Sequence, residues 1–306
     1  MKVFVTGATG FVGQEVLRQL HAAGHGIRIL ARNQEAPRVR EAASRYAAEV
    51  HPGNILDRGS LAGALEHCDA VIHLVGIVSE IGEQTFANVH PRATGNMVDT
   101  ARQAGVRRFV HMSALGTRPD AVSRYHQSKW AAEEVVRHSG LDSTIFRPSL
   151  IFGPRDQFVN LFARMAGWSP VLPVLGGGKA KFAPVAVADV AACFVRALTE
   201  PAAANQTFDL CGPDQLTLPQ ILETILAVTG RKRWLVRVPP GVARFQAALL
   251  ERAFPRLLRR APPLNRDQLL MLAEDNVGDP RPAIKVLGFK PPGFRDGLVR
   301  FLKPDA

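Results

Sequence analysis

Cysteine is scarce in these 306 residues, with only Cys68, Cys193 and Cys211. Three thiols so far apart build neither a disulfide framework nor a zinc site, and point to a reduced, cytoplasmic protein. The nine histidines are scattered, and the one pair four residues apart, His21 and His25, straddles Gly24, so no metal site is expected. No apolar run approaches the roughly 20 residues that span a bilayer. The chain opens Met1-Lys2 and goes straight into Val3-Phe4-Val5, with no signal-peptide core or transit pattern. Internal repeats and low-complexity segments are missing too. What is present is 46% hydrophobic and 21% charged, with a mean hydropathy of +0.01. That excludes a disordered or fibrous chain and fits one large or two modest packed domains.

Charge is unevenly placed. Residues 1–230 carry 22 Lys/Arg and 20 Asp/Glu, whereas residues 231–306 carry 16 and 7. Nearly all of the net +11 therefore lies in the last quarter. That suits an acidic counterpart such as a membrane surface or a protein partner, or simply a solvated Arg-rich face.

Short apolar bursts alternate with helical spacing through the first half. Val3–Val5, Ile27–Leu30, Asp69–Leu74, Arg108–Met112 and Ser143–Phe146 read as strands, with Phe11, Val12, Val16, Leu17 and Leu20 marking the first helix. Strands alternating with helices predict βαβ units, a parallel sheet and helices on both of its faces. Beyond Arg147-Pro148, frequent prolines break the rhythm, which places a boundary near residue 153.

The turn after the first strand is Thr6-Gly7-Ala8-Thr9-Gly10-Phe11-Val12-Gly13. Glycines spaced by three between strand and helix allow a pyrophosphate to approach the backbone and the helix to pack close. The helix start then offers free N–H groups to the phosphates. The second strand ends Ala31-Arg32-Asn33 where an acid for the ribose hydroxyls is usual. A guanidinium there suits a 2′-phosphate, with Arg28, Arg38 and Arg40 adding positive field, so NADP(H) is favoured over NAD(H), which the loop itself would equally accept.

One of the two tyrosines, Tyr125, precedes Lys129 by one helical turn. Ser113 ends the strand Phe109–Met112, at the edge where doubly wound sheets bind ligands. A phenol works as acid or base near neutrality when a cation lowers its pKa, a task for Lys129 while it holds the nicotinamide ribose. Ser113 would hydrogen-bond the reacting oxygen.

Together these residues resemble the short-chain dehydrogenase/reductase superfamily in its extended or atypical branch. The segments His73–Ile77, Ser113–Gly116, Arg147–Ser149, Phe152–Phe158 and Pro184–Ala191 occur in the order found around the nucleotide-binding accessory subunit of respiratory complex I. The same order occurs in stand-alone bacterial proteins of NAD-dependent epimerase/dehydratase type. The resemblance covers about residues 2–230. It implies an α/β fold, a Rossmann-type doubly wound parallel sheet over residues 1–153 that binds NADP(H). Residues 154–306 would be a smaller mixed substrate, lid or docking region interleaved with it. It implies cofactor contacts from Gly7, Thr9, Gly10, Phe11, Val12, Gly13, Arg32, Asn54, Ile55, Leu74, Val75, Gly76, Tyr125, Lys129 and Pro148. Asn88 would serve a proton relay with Ser113, Tyr125 and Lys129. Two positions depart from the pattern: Asn54 replaces a usual Asp, and Trp130 a usual small residue.

The substrate pocket is expected between the sheet edge and the second region, near Phe152–Phe158 and Gly176-Gly177-Gly178. Two functions fit. One is an oxidoreductase or epimerase acting on a small carbonyl or alcohol. The other is a non-catalytic NADPH-loaded part of a respiratory complex, of quinone metabolism or of the inner membrane face. The second draws on Gly241–Arg260, where Val242, Phe245, Leu249, Leu250, Phe254, Leu257 and Leu258 oppose Arg244, Arg252 and Arg259 on a helix that Pro255 should kink or split. That apolar face either meets lipid or packs on the protein itself. Nucleic acid is not expected, since no aromatic platform or known motif accompanies the charge.

Overall fold

The computed structural model describes residues 1–258 and 261–302. The first half alternates strands β1 (Lys2–Thr6), β2 (Gly26–Ala31), β3 (Glu49–Pro52), β4 (Ala70–His73), β5 (Arg108–Met112) and β6 (Asp142–Pro148) with helices α1 (Phe11–Ala22), α2 (Pro37–Tyr46), α3 (Ala93–Gln103) and α4 (Arg124–Arg137). The rest runs β7 (Ile151–Phe152), α5 (Val159–Trp168), β8 (Val171–Val174), β9 (Lys181–Phe182), β10 (Val185–Ala186), α6 (Val187–Ala197) and β11 (Gln206–Leu210). It ends with β12 (Leu216–Thr217), α7 (Leu218–Val228), β13 (Trp234–Arg237), α8 (Pro240–Leu258), α9 (Arg266–Met271), α10 (Arg281–Leu287) and α11 (Phe294–Val299).

The central sheet is parallel in the order β11-β6-β5-β4-β1-β2-β3. Val3, Phe4 and Val5 have no exposed surface, as a strand covered by helices on both faces requires. Strand order reverses between β1 and β4, so the carboxyl ends of these two flank the crevice where doubly wound sheets bind ligands.

Two of the seven strands escape the sequence reading. The edge strand β3 is four residues with no apolar run. β11 returns from beyond residue 200 to pair with β6, and hides only Phe208 and Leu210 in its alternation. Helix α6 packs on α1 through Val190, Ala191 and Phe194, and Ala283 and Leu287 of α10 join the same core. Segments after residue 153 thus complete the first sheet. The remaining lobe closes around Phe152, Phe162, Leu222, Ile225 and Phe294, flanked by the ribbons β7–β10, β9–β12 and β8–β13.

Helix α8 runs from Pro240 to Leu258 without a split, where Pro255 was expected to kink or split it. A proline near the last turns disturbs only the bond to the turn before it, and the earlier turns hold. Its inward residues are small: Ala243 and Ala247 pack on Leu269, while Val242, Phe245, Leu249 and Leu258 are exposed. Arg259 and the Leu257 side chain lie outside what the structure describes.

Candidate functional site

The glycine loop is shaped by its backbone. Gly7 sits at φ +72°, and the Gly10 N–H donates to the Gly7 carbonyl at 3.0 Å. A Cβ on Gly13 would fall 2.3 Å from the Gly7 oxygen and 2.7 Å from that of Ala8, so only glycine lets α1 pack this close. No side chain caps α1 and its first turn holds no acid. The N–H groups of Phe11, Val12 and Gly13 therefore lack helical acceptors and face the loop, a setting that fits a dinucleotide's phosphates. Thr9 and Phe11 form its half-exposed rim, with Val12 buried beneath. Leu74, Val75 and Gly76 press against the loop: the Leu74 N–H donates to the Thr6 carbonyl, and a Gly7 Cβ would lie 3.0 Å from the Leu74 carbonyl carbon.

At the other end, Arg32 is exposed just past β2 and has no ion-pair partner among the described residues. Arg38 reaches the Thr9 carbonyl at 3.5 Å. The expected help from Arg28 and Arg40 does not materialise. Arg28 is turned to Glu49 at 2.8 Å and to the carbonyls of Ala64 and Glu66, and Arg40 pairs with Glu35. Asn54 spends its side-chain oxygen on the Leu56 N–H, and Ile55 packs into the core with Leu65 and Met97.

Lys129 of α4 reaches the carboxyl end of β5, next to Ser113, and Tyr125 lies one turn before it on the same helix. Ser123 caps α4 by accepting from the His126 N–H, which sets Tyr125 and Lys129 on the helix's buried side. The Lys129 ammonium donates to the Met112 carbonyl at 3.0 Å, one residue before Ser113. A Cβ on Gly76 would stand 2.9 Å from this nitrogen, so the glycine after β4 makes room for it. Burial lowers the Lys129 pKa to about 8. Ser113 is buried and donates to the Thr117 hydroxyl at 3.4 Å. Pro148 ends β6 and accepts from the Leu115 N–H.

One expectation reverses. Lys129 does not lower the Tyr125 phenol; burial, and then the carboxylate of Asp267, hold it well above its ordinary value. The amine is committed to Met112, and the tyrosine ring lies edge-on to Phe86 and His90 in apolar surroundings. The Asn88 amide, expected in a proton relay, donates to the Glu83 carbonyl. His90, two residues on, is buried. A π-helical turn over Asn88–Arg92 turns it inward, where it shares a hydrogen bond with Ser128 at 2.7 Å and accepts from the Ile77 N–H. Burial leaves it neutral, its pKa lowered to about 2. Single π turns recur at functional sites, and Pro91 inside the turn is the one sequence cue.

A strap over residues 264–279 covers this edge. Asp267 accepts from the N–H groups of Arg124 and Tyr125, at the start of α4. Asn265 donates to Ser79 and Val78, Glu274 pairs with Arg118, and Ser149 donates to Asn276. Within the segments expected to line the pocket, two residues make local contacts. Asp156 accepts from the N–H groups of Gly153, Phe158 and Val159, and a Cβ on Gly176 would strike the Leu272 carbonyl. Trp130 lies beneath the guanidinium groups of Arg137 and Arg147, which both bind the fully buried Glu133. No cluster of metal-ligating side chains occurs among the described residues.

Comparison with known proteins agrees with this geometry. The sterol demethylase protein B of Methylococcus capsulatus is 30% identical, over 96% of this chain and 95% of that protein. The subunit 9 of the NADH dehydrogenase 1 alpha subcomplex from Arabidopsis thaliana is 29% identical over 89% of the chain and 70% of its own length. The UDP-glucose 4-epimerase of Thermotoga maritima superposes with a TM-score of 0.76 at 20% identity, over 99% and 97% of the two chains, a likeness of fold. The sequence model of the NAD dependent epimerase/dehydratase family matches residues 3–211, and the chain belongs to that family.

Proposed function

We propose that the protein is an NADP(H)-dependent oxidoreductase moving hydride between the cofactor and a carbonyl or carbinol carbon. When bound, the nicotinamide supplies or accepts that hydride. The observation that carries the reading is the convergence at Gly76, which touches the Lys129 ammonium on one side and continues the segment abutting the glycine loop on the other. The loop and α1 hold the diphosphate, and Arg32 with Arg38 meets a 2′-phosphate. Ser113 donates to the substrate oxygen. Tyr125, kept protonated by its surroundings, gives that oxygen a proton as charge develops on it. Lys129, held at the Met112 carbonyl, binds ribose hydroxyls.

Fluorescence titration tests the cofactor. NADPH should bind more tightly than NADH, and Arg32→Ala should weaken NADPH alone; equal affinities would remove the 2′-phosphate assignment. On a confirmed substrate, Tyr125→Phe should cut kcat by roughly 10²–10⁴ with cofactor binding kept. Unchanged turnover would end the catalytic role.

One observation favours a second reading, a nucleotide-loaded but non-catalytic part of a respiratory assembly. The strap closes over Tyr125 and Asp267 raises the phenol, which suits permanent occupancy. The match to a complex I subunit supports it. Mass spectrometry of co-purifying nucleotide separates the two: NADPH that does not exchange in dilution favours the structural part, rapid exchange the enzyme.

A further inference from the structure

Nine of the fourteen exposed large hydrophobic side chains among the described residues fall between positions 161 and 258. Trp234 is 79% exposed, Trp168 76% and Phe245 72%, in a chain with only three tryptophans. Register joins the first group. Trp234 of β13 pairs with Val171 of β8, and Trp168 ends α5 three residues earlier. Along both strands Leu172, Val174 and Leu235 pack inward, so Val171, Trp234 and Val236 form the ribbon's outer face. Helix α8 follows after Val238-Pro239. Its Val242, Phe245 and Leu249 fall at i, i+3 and i+7, one stripe turned to solvent, while alanines fill the inner face. Small residues inside and large ones outside invert a helix designed only to cover its own core.

The charges are equally one-sided. Residues 231–258 hold seven Lys/Arg and one acid, Glu251, which is already bound by Arg266. An open cleft of about 660 Å³ beside Trp168 is lined by Leu161, Arg164, Met165 and Arg231 among others. Tryptophan and arginine around an apolar stripe, with almost no free carboxylate, match the chemistry of a headgroup layer. A second copy of the chain would set the exposed Lys232, Arg237, Arg244 and Arg252 against their own counterparts across a two-fold axis and repel.

We propose that the outer side of the β8–β13 ribbon and the exposed stripe of α8 together seat the protein on an anionic phospholipid surface. Trp168 and Trp234 lie at headgroup depth, Phe245 and Leu249 of α8 enter the acyl boundary, and the surrounding Lys/Arg side chains meet lipid phosphates. The docking is separate from hydride transfer, since none of these residues belongs to the glycine loop or to the Ser113, Tyr125 and Lys129 group.

Flotation of the full chain with vesicles tests it. Binding should be strong on phosphatidylcholine mixed with phosphatidylglycerol, at least about tenfold weaker on phosphatidylcholine alone, and lost in high salt. Tryptophan emission should shift to the blue on binding, and Trp168→Ser with Trp234→Ser should remove the shift, since Trp130 lies on α4 beneath Arg137 and Arg147. Phe245→Ser with Leu249→Ser should weaken binding with thermal unfolding unchanged, because both side chains are already exposed. Arg237→Gln should cost about fivefold. Tyr125→Phe should float like the parent, which separates failure here from failure of the catalytic reading. Folded protein that ignores anionic vesicles would overturn the proposal. So would variants that bind undiminished, or a self-association that the serine variants abolish without vesicle binding.

Discussion

Lys129 shows what a buried cation costs the fold that holds it. Its ammonium is 2% exposed, its one hydrogen bond goes to the Met112 carbonyl, and burial brings its pKa from 10.5 to about 8. Below pH 8 the native state must bury a charge that the unfolded chain keeps in water. The unfolded state holds its proton up to pH 10.5, so this amine's contribution to native stability rises with pH between 8 and 10.5, opposed above 9 by the buried Cys193 and Cys211 thiols, each pushed up to about 12. Lys129→Met should therefore stabilise the cofactor-free protein at pH 7 by about 1–3 kcal/mol in urea unfolding, and abolish that rise. A less stable methionine variant would mean the amine is well solvated. The Tyr125–Lys129 spacing was legible because one helical turn links the two. Asp267 was not, because it reaches Tyr125 across 142 residues, and no local pattern encodes such a contact.

At the scale of elements, the glycine loop is where sequence and structure agree most closely, since strand, turn and helix are continuous and each glycine has a local reason. Those reasons differ in strength. A Cβ at Gly13 would meet the Gly7 carbonyl oxygen at 2.3 Å, whereas one at Gly10 would approach the same atom at 3.1 Å. Backbone atoms cannot rotate away as a side chain can. Gly13→Ala should shift α1 off the loop, lower stability by about 1–3 kcal/mol and weaken NADPH binding; Gly10→Ala should do less in urea unfolding. Equal losses would mean the loop yields as a whole. Elements outside such continuous motifs were harder to read. β3 has no apolar run, β11 pairs with a strand some 60 residues earlier, and the outward stripe of α8 has the periodicity of a buried one. Periodicity shows that a helix has an apolar face, and tertiary packing decides which face is covered.

Across the whole molecule the carboxyl edges of β1, β4 and β5 enclose an unusual set of neutral histidines. His73 shares hydrogen bonds with Thr6 and Thr94, and stacks on His111 at 5.4 Å. Neither ring nitrogen of His111 has a partner among the described residues. Burial, with the Lys129 charge assisting, lowers His73 to about 3 and His90 to about 2, and places His111 well below 6.5. The unfolded chain takes up these three protons as pH falls through 6.5, and the native state refuses them. Stability must then decline on the acid side, approaching about 4 kcal/mol per pH unit if all three titrate only on unfolding. Asp156, Asp189 and Asp209, raised by burial, oppose this between their raised values and 3.8, whereas His126 and His25, also lowered by burial, add to it. Urea unfolding at pH 7.5, 6 and 5 should show the steep fall. His111→Leu should reduce its slope by at most a third and, by removing an unpaired buried imidazole, add about 1 kcal/mol at pH 7.5. A stability that stays level from pH 7.5 to 5 would mean these rings protonate within the folded protein, and that the edge holding Ser113 and Lys129 is open to water.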